Sequence, residues 1–383
     1  MGPLHGLKII EIVGLGPGPF GAMLLADLGA DVIRIDRPVA GMFEQGVNPK
    51  LDFLNRGKRS ICLNLKTEKG VETVLKLLAD ADGLIEGNRP GVMEKLGLGP
   101  DSCLAHNPAL VYGRMTGWGQ EGAWAQTPGH DINYIAITGA LHAIGRKGEK
   151  PVIPLNLVGD FGGGGLMLAF GMMCALFEAR ASGKGQVVDA AMIDGASTLM
   201  TSMYAASQAG FWSDKRGENM LDSGSHFYDV YETSDNKYIS LGSIEPQFYA
   251  ALLEKLGAEA EPFSNQFDVE NWPQMKEQFA AIFKKKTREE WNDLMAGSDV
   301  CYAPVLSMAE AKDHPHNASR STYVEQDGVY QPSPAPRFSR TAGEIKHEAV
   351  LRGQHTNEIL RELGCDESTI QTLHDEGVVA GKA

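Results

Sequence analysis

The sequence predicts an α/β fold: a large domain on a doubly wound, mostly parallel, Rossmann-like sheet, followed by a smaller α+β domain. Three observations carry this expectation. Short apolar runs alternate with helical stretches through residues 7–190, the pattern left by parallel strands joined by crossover helices. After Trp212 the character changes, and two apolar runs flank Ser234-Asp235-Asn236 as a hairpin would. At 383 residues the chain is long enough for two cores. The domains are placed at 1–214 and 215–325, with 326–383 returning to the first.

Residues 7–13 read as a buried strand, followed by a Gly/Pro turn and a helix through Leu28, closed by Gly29. Asp31–Asp36 and Ser60–Leu65 are expected as strands, Thr67–Ala79 as a helix, and Gly83–Gly87 and Ala109–Gly113 as strands. Helices are expected at 130–145 and 160–181, a strand at Val187–Ala190, and a helix from Ile193. In the smaller domain, Phe227–Thr233 pairs with Lys237–Leu241, and helices follow near 246–256, 271–285 and 287–296.

Net charge is −14, which argues against nucleic acid or an anionic membrane as a partner. The deficit lies beyond residue 100, since residues 1–100 hold 12 Lys/Arg and 12 Asp/Glu. There Arg56, Lys58, Arg59, Lys66 and Lys69 surround Glu68, a patch suited to a small polyanion. Five scattered cysteines without a C-x-x-C pair suggest a reducing compartment. No secretory signal, membrane span or Ser-Lys-Leu ending is read. The expected location is cytoplasmic, with peroxisome or mitochondrion left open for a eukaryotic source.

Gly16, Gly18 and Gly21 satisfy G-x-G-x-x-G after a strand, with Asp36 where a ribose-binding acid would stand. Pro17 and Pro19, however, remove two N–H groups from the loop that should cradle a pyrophosphate. A tight strand-to-helix turn explains the motif better than a nicotinamide site.

Two stretches carry the chemistry. G-H-D-I-N-Y offers an imidazole, His130, and G-D-F-G-G-G-G offers a carboxylate, Asp160, ahead of an apolar helix. Each residue alone reads as a helix cap. Together they supply two bases able to take a proton from one face of a carbon acid and return it to the other. Such chemistry needs no metal, flavin or nicotinamide. Gly162–Gly165 are poor helix formers, costing about 1 kcal/mol each, and imply close approach to their backbone. Free N–H groups at the Asp160 turn would stabilise an enolate oxygen. Met192, Met200 and Met203 read as core, or as an adaptable wall for an acyl chain.

The chain resembles the family III CoA-transferase superfamily over nearly its whole length, and within it the members that epimerise 2-methylacyl-CoA. The resemblance rests on L-G-P-G-P-F, A-D-L-G-A-D-V-I-R-I-D-R-P, R-P-G-V-M-E-K-L-G-L-G-P, G-H-D-I-N-Y, P-L-N-L-V-G-D-F-G-G-G, S-G-K-G-Q-V-V-D-A-A-M, N-M-L-D and I-E-P-Q-F-Y, in that order.

It implies an interlocked homodimer with active sites where domains of two subunits meet. It also implies His130 and Asp160 as catalytic bases, with Glu245 orienting the histidine. Arg37, the stretch Cys62, Leu63, Asn64, Leu65 and Lys66, and Arg89 and Lys95 would bind CoA. Gly129, Asp131, Ile132, Asn133 and Tyr134 would meet the pantetheine or thioester end. The expected partner is an acyl-CoA substrate, without metal or cofactor. Where related chains often read N-M-L-D-G-G-A-P, this one has Ser223 and His226; bordering the acyl pocket, these would alter substrate preference. Two alternatives stand: a CoA-transferase using Asp160 as nucleophile, and a non-catalytic acyl-CoA-binding protein.

Overall fold

A computed structural model describes residues 1–39, 41, 46, 48–258, 263–326 and 328–381. The chain divides into two compact units. The first comprises Met1–Thr138, Leu155–Leu199 and Ser321–Ala383; the second comprises Gly139–Pro154 and Met200–Arg320. The second unit therefore takes in Gly139–Pro154 and Met200–Asp214, which the sequence reading placed in its first domain.

The first unit begins β1 (Lys8–Ile12), α1 (Pro17–Asp27), β2 (Asp31–Asp36), β3 (Arg59–Leu63), α2 (Glu68–Leu78), β4 (Gly83–Glu86), α3 (Val92–Lys95), α4 (Pro100–His106), β5 (Val111–Thr116) and α5 (Asp131–Ala136). After α6 (Ala140–Ala143), which belongs to the second unit, it resumes with a π-helix (Leu157–Leu166), α7 (Met167–Ser182), β6 (Val187–Ala191) and α8 (Met192–Leu199). The seven-stranded sheet has the order β12-β3-β2-β1-β4-β5-β6, where β12 is Val379–Ala380. Only β12 runs antiparallel, to β3.

Strand alternation explains why helices cover both faces. Ile9, Val32 and Val111 pack with Leu25, Leu168 and Met172. Ile10, Ile33 and Tyr112 pack with Leu77 and, from the C-terminal helices, Leu360 and Leu373. The doubly wound α/β expectation holds.

Local differences have identifiable causes. Strand β3 stops at Leu63 because Asn64 begins a turn, its Oδ1 accepting the Lys66 N–H at 3.2 Å, and Thr67 caps α2 through the Gly70 N–H at 3.1 Å. The expected helix 130–145 is broken: α5 ends at Ala136, and Gly139, with φ of +78°, stands at the start of α6 in the other unit. The expected helix 160–181 is longer. Leu157–Ser182 is one continuous helix, the first ten residues of which are π-helical. By length and composition this helix could cross a membrane. Its apolarity has a local use, because Leu168, Ala169, Met172, Ala175 and Leu176 are buried in the sheet core.

The second unit holds an antiparallel sheet of β7 (Val230–Glu232), β8 (Tyr238–Leu241) and β9 (Tyr302–Val305). Pairing of Tyr231 with Ile239 fixes the expected hairpin. Helices Pro246–Leu256, Trp272–Phe283 and Arg288–Met295 cover it, close to the expected ranges. A further hairpin, Tyr323–Gln326 with Val329–Pro332, belongs to the first unit.

Candidate active site

In the first unit, a cavity of about 680 Å³ opens beyond the carboxyl ends of β1, β4 and β5, the usual ligand position in an open α/β sheet. His130, Asp160, Arg89, Asn133 and Met192 line it, together with the turn Gly14–Pro19. The two expected bases thus line one cavity.

His130 stands at the start of α5 with extended backbone, φ −131°. Its N–H donates to Asn133 Oδ1 at 3.0 Å, and the Asn133 N–H returns a bond to His130 O at 2.8 Å. This reciprocal cap fixes where the helix begins while leaving the residue exposed. The Tyr134 ring fills the space beside two glycines. A Cβ on Gly117 would lie 2.0 Å from that ring, and one on Gly129 2.7 Å. The Tyr134 hydroxyl donates to Gly129 O, and Trp118 packs edge-on at 4.8 Å. Gly129 and Tyr134 therefore pack together next to His130 in the chain and line the same cavity.

Asp160 is not a helix cap. Asn156 occupies that position, and Asp160 sits in the first π-turn, where its Oδ2 accepts Asn156 Nδ2 at 3.0 Å. Gly162–Gly165 are required by the protein's own packing. A Cβ on Gly163 would stand 2.5 Å from Ala196 N, and one on Gly165 2.5 Å from Pro17 O. Helices α8 and α1 thus clamp the π-helix backbone to backbone. Such wide turns are rare, and they recur at functional sites.

The expected enolate donors at this turn are already engaged. The Gly159 N–H donates to Asp131 at 3.0 Å and the Phe161 N–H to Asn156 O at 3.3 Å. Asp131, expected at the thioester end, turns its carboxylate into the protein. Burial, and then the Asp160 charge, push its pKa up.

The G-x-G-x-x-G turn gains a different meaning. Gly16 has φ +63°, and a Cβ there would lie 3.2 Å from Asp160 Oδ2, while Pro17 is the first residue of α1. The glycine lets this turn pass beside the carboxylate. Asp36, the would-be ribose ligand, is 3% exposed and held by Arg34 at 2.9 Å and Ser60 Oγ at 2.5 Å.

The remaining expected CoA contacts divide. Arg89 is exposed at the cavity, and Ile132, Lys95, Lys66 and Arg37 are exposed outside its lining. Cys62 lines a second cavity of about 460 Å³ with Pro38, Arg352 and Gly381; burial pushes its thiol up to about 11. Leu63 is a core residue and Leu65 packs against the same core, so neither side chain is free for a ligand. Asn64 is half-buried in its turn.

The polyanion patch largely dissolves. Arg56 pairs with Asp27 at 2.5 Å, Lys58 with Glu11 at 2.7 Å, Arg59 with Glu362 at 2.6 Å and Lys69 with Glu376 at 2.5 Å. Of the five cations, only Lys66 has no ion pair among the described residues.

In the second unit, Glu245 precedes helix Pro246–Leu256, exposed and without a side-chain cap bond. Met200, Met203 and Ser223 line a cavity of about 760 Å³ in that unit. His226 lies in the core of the second unit rather than on that cavity's lining. It is fully buried, its Nε2 2.7 Å from the Tyr249 hydroxyl, so the expectation that it borders an acyl pocket is withdrawn. Sequence reasoning missed the roles of Asn156 and Arg352; the G-x-G-x-x-G signal was seen and assigned elsewhere.

The model of CoA-transferase family III matches residues 4–356. The chain is 46% identical over 380 residues to the alpha-methylacyl-CoA racemase of Mus musculus, covering 98% of this chain and 97% of that one. It is 42% identical to the protein of that name from Homo sapiens, with the same coverage. The crystal structure of a CAIB/BAIF family protein from Brucella suis superposes with a TM-score of 0.82 at 28% identity, covering 94% of this chain and 99% of that chain. On this evidence the chain belongs to CoA-transferase family III.

Proposed function

We propose that this protein is a racemase of 2-methyl-branched acyl-CoA thioesters. One observation carries the reading: a chain similar over its full length to alpha-methylacyl-CoA racemases places His130 and Asp160 on one cavity. The thioester acidifies the α-carbon. One base removes the C2 proton, and the electron pair passes to the thioester oxygen as an enolate. The conjugate acid of the other base then protonates C2 from the opposite face. Protons and electrons balance without a metal or redox cofactor. Helix geometry leaves the N–H groups of Asp131 and Ile132 without intrahelical acceptors, so these replace the Asp160 turn as candidate oxyanion donors.

Arg37, Lys66, Arg89 and Lys95, all exposed, would clamp the CoA phosphates. A homodimer in which Glu245 of one subunit orients His130 of the other fits two features of the surface. Helix α7 exposes Phe170 (64%) and Phe177 (80%), and β6 is an open sheet edge. Five free cysteines suit a reducing compartment.

The test is incubation of the purified protein with (R)- and (S)-2-methylacyl-CoA in D2O. Both should converge on a racemic thioester deuterated at C2. His130→Ala should lower exchange by about 10³-fold while CoA still binds. Turnover that requires a free carboxylic acid acceptor would instead favour CoA transfer through Asp160. Undiminished exchange in His130→Ala would remove the two-base assignment.

A further inference from the structure

Asp131 follows His130 in the chain, yet its side chain serves the other half of the candidate pair. It is 6% exposed. Both carboxylate oxygens accept the Gly159 N–H, Oδ2 at 3.0 Å and Oδ1 at 3.3 Å, and the Asp160 N–H also bonds to it. A Cβ on Gly159 would fall 2.4 Å from Asp131 Oδ2. The π-helix therefore has the start of its first turn satisfied from another element. Asn156, at its own cap position, is directed instead to the Asp160 side chain at 3.0 Å. Asn156 pins the Asp160 carboxylate, and Asp131 pins its backbone.

This arrangement is costly. It holds a second, buried carboxylate beside Asp160, so that desolvation and like charge both work against ionisation of Asp131. A neutral cap would satisfy the same amides without that repulsion. What a carboxylate at this position adds is a direct tie between the residue after His130 and the turn carrying Asp160. Proton transfer on two faces of one carbon is sensitive to that gap, since a displacement of about 1 Å costs about 10²-fold.

We propose that Asp131 is a positioning residue: it joins the start of α5 to the Asp160 turn and so sets the distance between the two bases. The inference rests on the racemase reading given above. Asp131→Ala should lower kcat for C2 exchange about 10²-fold and leave KM for the acyl-CoA within about threefold. Asp131→Asn keeps the size and one acceptor oxygen, should lose about tenfold, and carries the test should the alanine variant fail to fold. Gly159→Ala should reproduce the defect, because its Cβ collides with the carboxylate. Added to Asp131→Ala it should do no further harm, since the colliding group is gone.

Hydrogen exchange of the free protein supplies a readout independent of turnover. The Gly159 amide should be protected in the wild type and unprotected in Asp131→Ala. A raised KM with unchanged kcat would make Asp131 a substrate ligand and overturn the proposal, as would a Gly159 amide that stays protected in Asp131→Ala. An active wild type with an equally active Asp131→Ala overturns this inference alone. A wild type without C2 exchange overturns the racemase reading, and the positioning role with it.

Discussion

The first unit holds ion pairs with both partners buried, whereas the core of the second is built largely on rings. Glu11, Lys58, Asp27, Arg56, Arg34 and Asp36 are each at most 7% exposed, in three ion pairs close to the sheet. The second unit closes on Phe227, Tyr231, Phe279, Phe283 and Trp291, with His226 set edge-on among them at ring distances of 5.1–5.4 Å from Phe227, Tyr249 and Phe279. Charged pairs are weaker stabilisers than apolar groups of the same volume, so pairs buried on both sides ask for a reason. Lys58 supplies one. Its Nζ donates to Glu11 and also, at 3.1 Å, to Pro19 O in the first turn of α1. That turn borders the cavity and follows Gly16, beside the Asp160 carboxylate. The buried Lys58–Glu11 pair thus supports the site's scaffold, while the rings of the second unit build its core.

The comparison breaks first at Lys58. Lys58→Met should destabilise the protein by about 3–5 kcal/mol, because it strands Glu11 in the interior. Urea midpoints will measure the loss. Glu11→Leu added to Lys58→Met should restore much of it, by replacing the pair with apolar volume. A loss under 1 kcal/mol for the single variant would mean that Glu11 finds other partners.

The contrast also marks what could be read from the sequence. Strands β1, β2 and β6 and helix Pro246–Leu256 were legible because period and punctuation are local: Gly29, Gly183 and Gly257 end helices with positive φ. His130 and Asp160 were legible as residue types in distinctive strings. Their supports were not. Arg56 and Lys58 read as a phosphate patch because nothing nearby in sequence announces Asp27 or Glu11, 29 and 47 residues away. Gly162–Gly165 were recognised as demanding close approach. That the approaching groups are Ala196 and Pro17 is a tertiary fact. The π-helix followed from that packing and from no periodicity. Asp131 beside His130 looked like a substrate contact for the same reason: its acceptor role toward Gly159 spans 28 residues.

A second, smaller effect separates the units by pH. Burial holds the His226 imidazole at a pKa of about 4, against about 6.5 when unfolded. Between these values the unfolded chain binds the proton and the folded chain does not. This contribution is therefore fully present above pH 6.5 and is lost as pH falls through that value towards 4. At pH 5 the loss should amount to about 2 kcal/mol. The difference in urea midpoint between pH 7.5 and 5 should shrink in His226→Phe. An unchanged difference would show that His226 titrates as freely in the folded chain as in the unfolded one.

The smallest expected effect lies on the exposed edge of the site. Asn133 closes the reciprocal cap with the His130 backbone, and losing such a cap costs about 1 kcal/mol. Asn133→Ala should therefore barely move the urea midpoint, yet it frees the residue that carries the imidazole. The buried side of the pair has no such weak point, since Asp160 is held by Asn156 and its turn by α1 and α8. Asn133→Ala should accordingly lower kcat by about tenfold at no more than about 1 kcal/mol of stability, while Gly163→Ala, which drives a Cβ to 2.5 Å from Ala196 N, should cost about 3 kcal/mol. If Asn133→Ala instead destabilises as much as Gly163→Ala, the two bases are supported alike, and the division between a lightly capped imidazole and a clamped carboxylate fails.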